Sequence, residues 1–423
     1  MPVTLLLVLI FIVGYTAITL ERTLKIDKLI PALLMMAISW ALISMILPTQ
    51  EYTSEILLHH FGKTSEILIF LMGAMAIVEM IDYFDGFNSV QRLIKVKTNY
   101  GLLWVISILA FILSAVIDNL TATIVLISIL RKLVQDKELR LWMVGFAVMS
   151  ANAGGAWSPI GDVTTTMLWI GAKVSAVKLV EHVFIPALLT IVVPLLIAKR
   201  IPIFNGAFEA QTVQKTKKNA GFVLLTGLFL IVLVPIFKSV THLPPYMGML
   251  FSLAVFALIG EILSKRHLNL SSMDEKSKDG HVGPTLKSLS KIEMPSILFF
   301  LGILMTVAGL ESMGIIEKFG EDVLATGISK ELYISLLGIV SAIVDNVPLV
   351  AASMGMFKDG LDANTWHMIA YATGTGGSIL VIGSAAGVVA MGMEQIGFGW
   401  YLKRIAPLAL IGYLSGLLAF IFL

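Results

Sequence analysis

Two Asp-Asn pairs near the centres of long apolar stretches are the residues of this sequence best suited to chemistry. Asp118-Asn119 lies within Leu102–Leu130, and Asp345-Asn346 lies within Leu332–Met356. A carboxylate at bilayer depth costs roughly 2.5–3.5 kcal/mol on insertion scales, so such groups tend to line a cavity or bind something. Where a chain turns between two helices, unpaired backbone carbonyls stand beside the carboxylate. Hard oxygen donors of this kind suit alkali or alkaline-earth ions, so the pairs predict a cation site.

The structural alternative is that each aspartate only caps the helix that follows it. Capping is compatible with the sequence, since Pro348 falls in the first turn after Asp345. A cap alone does not explain the same Ser-x3-Asp-Asn pattern at both places, nor a full charge where serine would serve. We therefore predict a binding role. The candidate ligands at the two pairs are Ser114, Asp118, Asn119, Thr121, Ser341, Asp345 and Asn346.

Two glycine-rich stretches, Asn152–Gly161 and Thr373–Gly383, interrupt apolar spans and predict unwound helices. Such breaks free further backbone carbonyls at membrane depth. The alternative is that the small residues serve close helix packing. Neither stretch is a phosphate loop, because no Gly-Lys-Ser/Thr follows it. The side chains that could reach an ion from these breaks are Asn152, Ser158, Thr373, Thr375 and Ser378.

Two further acidic residues have two interpretations each. Asp162 begins the apolar segment Val163–Ile170, where it is either a helix cap or an ion ligand. Its counterpart in the second half is Ser384, so the two halves are not chemically equal there. Glu79, near the end of an earlier span, is either a proton-path group or an interfacial charge.

These motifs belong to an internal repeat. Leu113–Asn119 matches Val340–Asn346, and Ala153–Asp162 matches Thr375–Ser384, with an offset of about 225 residues. The matching segments occur in the same order in both halves of the chain, which chance does not explain. If the Asp-Asn stretches are re-entrant hairpins, the two halves have inverted topology, as in secondary transporters.

Composition sets the class of protein. Of 423 residues, 57 % are hydrophobic and 14 % charged, and the mean hydropathy is +0.91. The apolar sequence suffices for about ten spans, which excludes a soluble enzyme. The net charge of +2 gives no sign of nucleic-acid binding, and the absence of Cys excludes thiolate chemistry. We therefore predict an all-α polytopic membrane protein with two inverted-topology repeats, each with a re-entrant hairpin and a discontinuous transmembrane helix.

The predicted organisation has four parts. Residues 1–49 form N-terminal transmembrane helices, and residues 201–291 form connecting helices and a cytoplasmic linker. Repeat 1 covers residues 50–200, with a hairpin at about 102–132 and a broken helix at about 141–172. Repeat 2 covers residues 292–423, with a hairpin at about 331–357 and a broken helix at about 365–397. The basic segments Lys199–Lys218 and Ser264–Lys291 should be cytoplasmic, which puts both termini outside.

Four segments carry a family resemblance: Ser114–Thr123, Asn152–Thr165, Asp345–Pro348 and Thr373–Gly383. Together they resemble the NhaD-type sodium/proton antiporters of the ion transporter superfamily, and the resemblance covers nearly the whole chain. Related dicarboxylate and citrate carriers have a neutral Ser-Asn-Thr at their hairpin tips, where this sequence has Asp-Asn followed by Leu120 or Val347. Acidic tips argue for a cation as substrate. The resemblance implies a homodimer in a bacterial inner membrane and an elevator-like displacement of the site.

The leading prediction is therefore an antiporter that exchanges Na⁺ or Li⁺ for H⁺, by competition of both for the tip carboxylates. No cofactor is expected, since the alkali ion is the substrate. The alternative is a Na⁺-coupled carrier of a small anion, dicarboxylate or arsenite, which we disfavour because no Arg or Lys lies near either tip in the sequence. An intramembrane aspartyl protease is also disfavoured, because Asp118 and Asp345 lack the Gly-x-Gly-Asp context.

Overall fold

The fold is that of a computed structural model, which describes residues 3–208, 219–271 and 283–422. Much of the two predicted cytoplasmic segments, residues 209–218 and 272–282, lies outside the described residues. Across the described ranges the chain is helical and forms no β-strand; one antiparallel bridge joins Thr98 to Ala207.

The first half of the chain contains α1 (Val3–Thr19), α2 (Glu21–Leu24), α3 (Leu29–Ser44), α4 (Gln50–Tyr83), α5 (Asn99–Ile117), α6 (Asn119–Leu133), α7 (Lys137–Ala156), α8 (Val163–Ile170) and α9 (Ala176–Ala198). Short 3-10 helices occupy Gly86–Leu93 and Pro202–Asn205. The second half contains α10 (Ala220–Thr241), α11 (Pro245–Ser271), α12 (Pro284–Leu289), α13 (Met294–Ser312), α14 (Ile315–Ala325), α15 (Lys330–Val340), α16 (Asn346–Met356), α17 (Asn364–Gly376), α18 (Ala385–Glu394), α19 (Phe398–Arg404) and α20 (Ala406–Phe422).

Several of these helices can cross a bilayer. Within the described residues six are long and apolar enough, namely α4, α5, α9, α10, α11 and α13. The bent pairs α14–α15, at 118°, and α19–α20, at 49°, raise the number to eight. This is fewer than the ten spans predicted, because α1 and α3 have only 17 and 16 residues and the discontinuous helices consist of shorter pieces. The chain is a multi-pass integral membrane protein.

Each repeat contains a helical hairpin beside a discontinuous helix. In repeat 1, α5 and α6 meet at Asp118, and residues 157–162 separate α7 from α8. In repeat 2, residues 341–345 separate α15 from α16, and residues 377–384 separate α17 from α18. The predicted fold class is confirmed in this all-helical architecture with its broken helices.

The two hairpins open toward opposite ends of the molecule. At one end, Arg140 Nε at the start of α7 lies 2.8 Å from Glu394 Oε2 at the end of α18. At the other end, Asp362, just before α17, accepts a 2.6 Å hydrogen bond from the backbone N–H of Ser175, just after α8. The packing is reciprocal, since α6 contacts α18 and α16 contacts α8. This arrangement brings both hairpin tips and both helix breaks to the middle of the molecule.

Two glycines let each hairpin lie directly against its broken helix. A Cβ on Gly154 would overlap the backbone oxygen of Phe111, and a Cβ on Gly376 would overlap that of Gly338. Because the obstacle is backbone in both cases, neither position tolerates a larger residue without a shift of a helix. The glycine-rich stretches thus serve close packing as well as the helix breaks.

Candidate functional site

The first hairpin turns at a single residue. Asp118 has a φ of 78°, a conformation that is uncommon for a residue with a side chain and often marks a functional position. Its Oδ1 accepts a 2.8 Å hydrogen bond from the backbone N–H of Thr121, and its Oδ2 accepts one of 2.8 Å from Thr121 Oγ1. Asp118 therefore caps α6, while Thr121 orients its carboxylate.

The second tip also begins with a capping carboxylate. Asp345 Oδ1 accepts a 3.1 Å hydrogen bond from the backbone N–H of Val347 at the start of α16. Asn346, the next residue, is only 5 % exposed and directs its amide away from α16. Each tip thus presents one partly exposed carboxylate followed by one buried amide, as the repeat predicts.

Asp162 joins the two tips. Its Oδ2 accepts hydrogen bonds from Asn346 Nδ2, at 2.9 Å, and from Thr164 Oγ1, at 2.7 Å. Its Oδ1 accepts a longer one, of 3.4 Å, from Asn119 Nδ2. The side chain makes no capping bond to α8, although Asp162 is 4 % exposed and immediately precedes that helix. Of its two predicted interpretations, the geometry does not support the helix cap.

Asn152 extends the same network to the second broken helix. Its Oδ1 accepts a 3.0 Å hydrogen bond from Asn119 Nδ2, and its Nδ2 donates to Ser384 Oγ at 2.9 Å. Ser384 in turn caps α18 by accepting from the backbone N–H of Gly387, at 3.2 Å. Four elements, two hairpin tips and two helix breaks, are therefore held by one set of buried polar side chains.

The two predicted serines before the tips fasten each hairpin to its broken helix. Ser114 Oγ donates to the backbone oxygen of Ala151 at 2.5 Å, and Ser341 Oγ donates to that of Thr373 at 2.8 Å. The same hydrogen bond thus occurs in both repeats. These hydroxyls position the tips through the backbone.

The remaining predicted hydroxyls form hydrogen bonds with backbone groups a few residues away in their own broken helix. Thr375 Oγ1 donates to the backbone oxygen of Tyr371 at 2.6 Å, and Ser378 Oγ donates to that of Thr375 at 2.7 Å. Thr373 Oγ1 likewise donates to Ile369, at 2.7 Å, and Ser158 Oγ accepts from the backbone N–H of Ile160, at 3.4 Å. The structure does not bring these four hydroxyls to the tips.

A cavity of about 70 Å³ lies between the tips. A water molecule in liquid occupies about 30 Å³, so this space suits a small ion that keeps part of its hydration shell. Its apolar wall includes Phe70 and Phe300. The predicted site residues that line it are Asp118, Asn119, Thr121, Asp162, Asp345 and Asn346. Among the described residues no three carboxylate or imidazole groups converge on one metal position, so a bound cation would draw on amide, hydroxyl and backbone oxygens too.

Two larger cavities adjoin this space at the end of the molecule where Arg140 meets Glu394. One, of about 460 Å³, shares Asp345 with the tip cavity and is also lined by Glu21, Asp27 and Glu293. The other, of about 370 Å³, shares Thr121 and is lined by Glu79. Glu79 Oε2 lies 3.8 Å from Lys291 Nζ, so the carboxylate of Glu79 forms an ion pair at the cavity wall.

One charged residue at the tip cavity is missed by sequence reasoning. Lys28, at the start of α3, lines both the 70 Å³ and the 460 Å³ cavities, although the sequence places no Lys or Arg near the tips. Its Nζ lies 4.4 Å from the ring centre of Phe299. No sequence signal could have found it, since it follows Asp27 in an ordinary polar loop outside the repeats.

Comparisons with known proteins match one family model and several transport proteins. Residues 5–368 match the CitMHS family, described as citrate transporter. The chain is 40 % identical to Sodium/proton antiporter 1 of Arabidopsis thaliana, over 98 % of this chain and 71 % of that protein. It is 31 % identical to the Na(+)/H(+) antiporter NhaD of Vibrio cholerae, over 96 % of this chain and 88 % of that protein.

The fold has a relative among solved structures. The YdaH transporter of Alcanivorax borkumensis, described as having an unusual topology, superposes with a TM-score of 0.54. The likeness covers 88 % of this chain and 87 % of that one at 13 % identity, so it bears on the fold alone. The family match and the two antiporter relatives show that the chain belongs to the NhaD-type sodium/proton antiporter family of the ion transporter superfamily.

Proposed function

We propose that this protein is a secondary antiporter that exchanges Na⁺ or Li⁺ for H⁺. The observation that carries the proposal is the position of Asp162, which accepts hydrogen bonds from Asn119 of one hairpin tip and Asn346 of the other. Asp118 and Asp345 line the same small cavity. Carboxylates that share a confined space attract a small cation and also accept protons.

Exchange follows if cation and proton compete for the same carboxylates. A bound Na⁺ neutralises part of their charge and disfavours protonation, and a bound proton weakens the attraction for Na⁺. The empty, fully ionised site is too costly to carry through an apolar barrier. The site therefore crosses the membrane only when it holds Na⁺ or H⁺. Because it carries one ion in each direction, inward transport of one ion is coupled to outward transport of the other.

The path to the site supports an alternating-access mechanism. The tip cavity adjoins two larger cavities that lie at one end of the molecule. From the basic segments we infer that this end is cytoplasmic and that both termini are outside. As a separate proposal, the membrane is a bacterial inner membrane. We further propose a homodimer in which the hairpins and broken helices move as one body past the remaining helices. The buried network from Ser384 to Asp162 suits such a body, because it ties both repeats together.

The names of the relatives support antiport, whereas the description of the matching family suggests the alternative, a Na⁺-coupled anion carrier. The position of Lys28 favours an anionic substrate, because it brings a positive charge to the tip cavity. Against it stand three aspartates that line the same cavity. An anionic substrate would have to approach these carboxylates, so we place antiport first.

Transport in everted membrane vesicles tests the proposal. A pH gradient is established and reported by a quenched fluorescent amine, and Na⁺, Li⁺, K⁺ and citrate are added in turn. We expect dequenching with Na⁺ or Li⁺, and none with K⁺ or with citrate in the absence of Na⁺. Vesicles from cells that lack the protein are the control. Citrate uptake that depends on Na⁺, without proton release by Na⁺ alone, would support the anion carrier and overturn antiport.

A further inference from the structure

Lys28 is a cationic side chain at the mouth of a cavity lined by three carboxylates. It lies at the start of α3, its side chain is half-buried, and it lines both the 70 Å³ and the 460 Å³ cavity, as Asp345 does. Its Nζ rests over the ring of Phe299 at 4.4 Å. It forms no ion pair within 4.0 Å with a carboxylate of the described residues. The ammonium thus lines the same cavity as the three carboxylates and is not paired with any of them.

The position of Lys28 is set by well-packed helices. α3 lies beside α13, with Ala32 against Gly302 and the Trp40 indole N–H donating to the backbone oxygen of Met305 at 2.8 Å. Both helices therefore run in the same direction from the larger cavity. The contact between the ammonium and the ring of Phe299 stabilises this position of the side chain. The charge is held in place by helices outside the two hairpins and the two broken helices.

We propose that Lys28 is a specificity-determining residue that makes the site selective for monovalent over divalent cations. The inference rests on the proposed cation transport and adds a property that the tips alone would not have. When the three aspartates that line the cavity are all ionised, their charge would favour a divalent ion such as Ca²⁺ over Na⁺. A nearby positive charge opposes every cation, and it opposes a divalent ion twice as strongly.

The charge dependence gives a quantitative expectation. By Coulomb's law the repulsion energy is proportional to the charge of the ion, so a factor in affinity for Na⁺ becomes its square for a divalent ion. Removing a partly screened charge at the cavity mouth should raise Na⁺ affinity roughly five- to tenfold. The affinity for Ca²⁺ should then rise roughly 25- to 100-fold. A loss of packing would not produce this square relation.

Equilibrium binding to the purified full-length protein tests the proposal. Binding of ²²Na⁺ is measured at alkaline pH, where protons compete least, and unlabelled Na⁺ and Ca²⁺ are the competitors. The neutral variants are Lys28→Gln and Lys28→Met, and Lys28→Arg keeps the charge. Lys25→Gln is the matched control, because Lys25 is exposed in the same loop and lines neither cavity.

The expected result is stronger Na⁺ binding by both neutral variants, with the gain for Ca²⁺ close to the square of the gain for Na⁺. Lys28→Arg and Lys25→Gln should bind as the unmodified protein does. If the unmodified protein binds Na⁺ but the neutral variants change Na⁺ and Ca²⁺ affinity equally, or not at all, the inference about Lys28 is wrong and antiport stands. An unmodified protein without saturable Na⁺ binding would overturn the proposed function and the inference together.

Discussion

Replacing Asp162 by asparagine removes one charge from the tip cavity and keeps the size of the side chain. In the structure both carboxylate oxygens accept from donors: Oδ2 from Asn346 and Thr164, and Oδ1 from Asn119. An amide has only one accepting oxygen, so its nitrogen must face a donor on one side or the other. The variant therefore loses both a negative charge and at least one hydrogen bond between the tips.

The magnitude follows from these losses. A hydrogen bond to a charged group contributes about 1.5–3 kcal/mol. In general, a unit charge about 4 Å from a cation contributes about 4 kcal/mol at an effective dielectric of about 20. Because part of the charge is compensated by other ligands, we expect a loss of about 3 kcal/mol, or roughly 100-fold in apparent Na⁺ affinity.

The assay is Na⁺-dependent dequenching in everted vesicles, with expression checked by immunoblot. Asp136→Asn is the control, since Asp136 caps α7 through the backbone N–H of Leu139, at 2.7 Å, and lies outside the tip cavity. Asparagine caps a helix as well as aspartate does, so this variant should behave normally. Normal Na⁺ affinity in Asp162→Asn would refute the reasoning, because it would mean that neither the charge nor the hydrogen bonds of Asp162 contribute to cation binding.

Three further predictions follow. Asp118→Asn and Asp345→Asn should each abolish exchange in the vesicle assay while membrane insertion is kept, because both carboxylates line one cavity; loss of half the activity in each would indicate two independent sites. Gly154→Ala should lower the free energy of unfolding in detergent by about 1–3 kcal/mol, because the added Cβ would overlap the backbone of Phe111. Gly392→Ala is the control and should be neutral, because there is open space around Gly392. With no native Cys, Ser54→Cys should react with an impermeant thiol reagent from outside and Ser272→Cys, which lies outside the described residues, only from the cytoplasm; the reverse pattern would overturn the proposed orientation.

The repeat is why much of the fold could be predicted from the sequence. Matching Ser-x3-Asp-Asn segments, each followed by a matching glycine-rich segment, predict a hairpin and a broken helix in each half. The structure accordingly brings Asp118, Asn119, Asp345 and Asn346 to one cavity. Local pattern is enough here because each feature recurs in a second copy of the same unit.

Side-chain direction is what the sequence could not give. An aspartate before a helix, such as Asp162, has the same local pattern whether it caps the helix or turns toward another element. A hydroxyl in a helix, such as that of Thr375, either bonds the carbonyl four residues earlier or points into a cavity. Lys28 belongs to no repeat and reaches the cavity only through the packing of α3 on α13. Long-range packing decides all three.

The central claim, that Na⁺ and H⁺ compete for the same carboxylates, is tested most directly by the pH dependence of apparent Na⁺ affinity. Initial rates of exchange are measured as a function of Na⁺ concentration from about pH 6.5 to about 9.5. We predict that apparent affinity weakens up to tenfold per pH unit toward the acid end for each competing proton and levels off at the alkaline end. An apparent affinity that stays constant over this range, while only the maximal rate changes, would contradict the claim and indicate a pH sensor away from the tips.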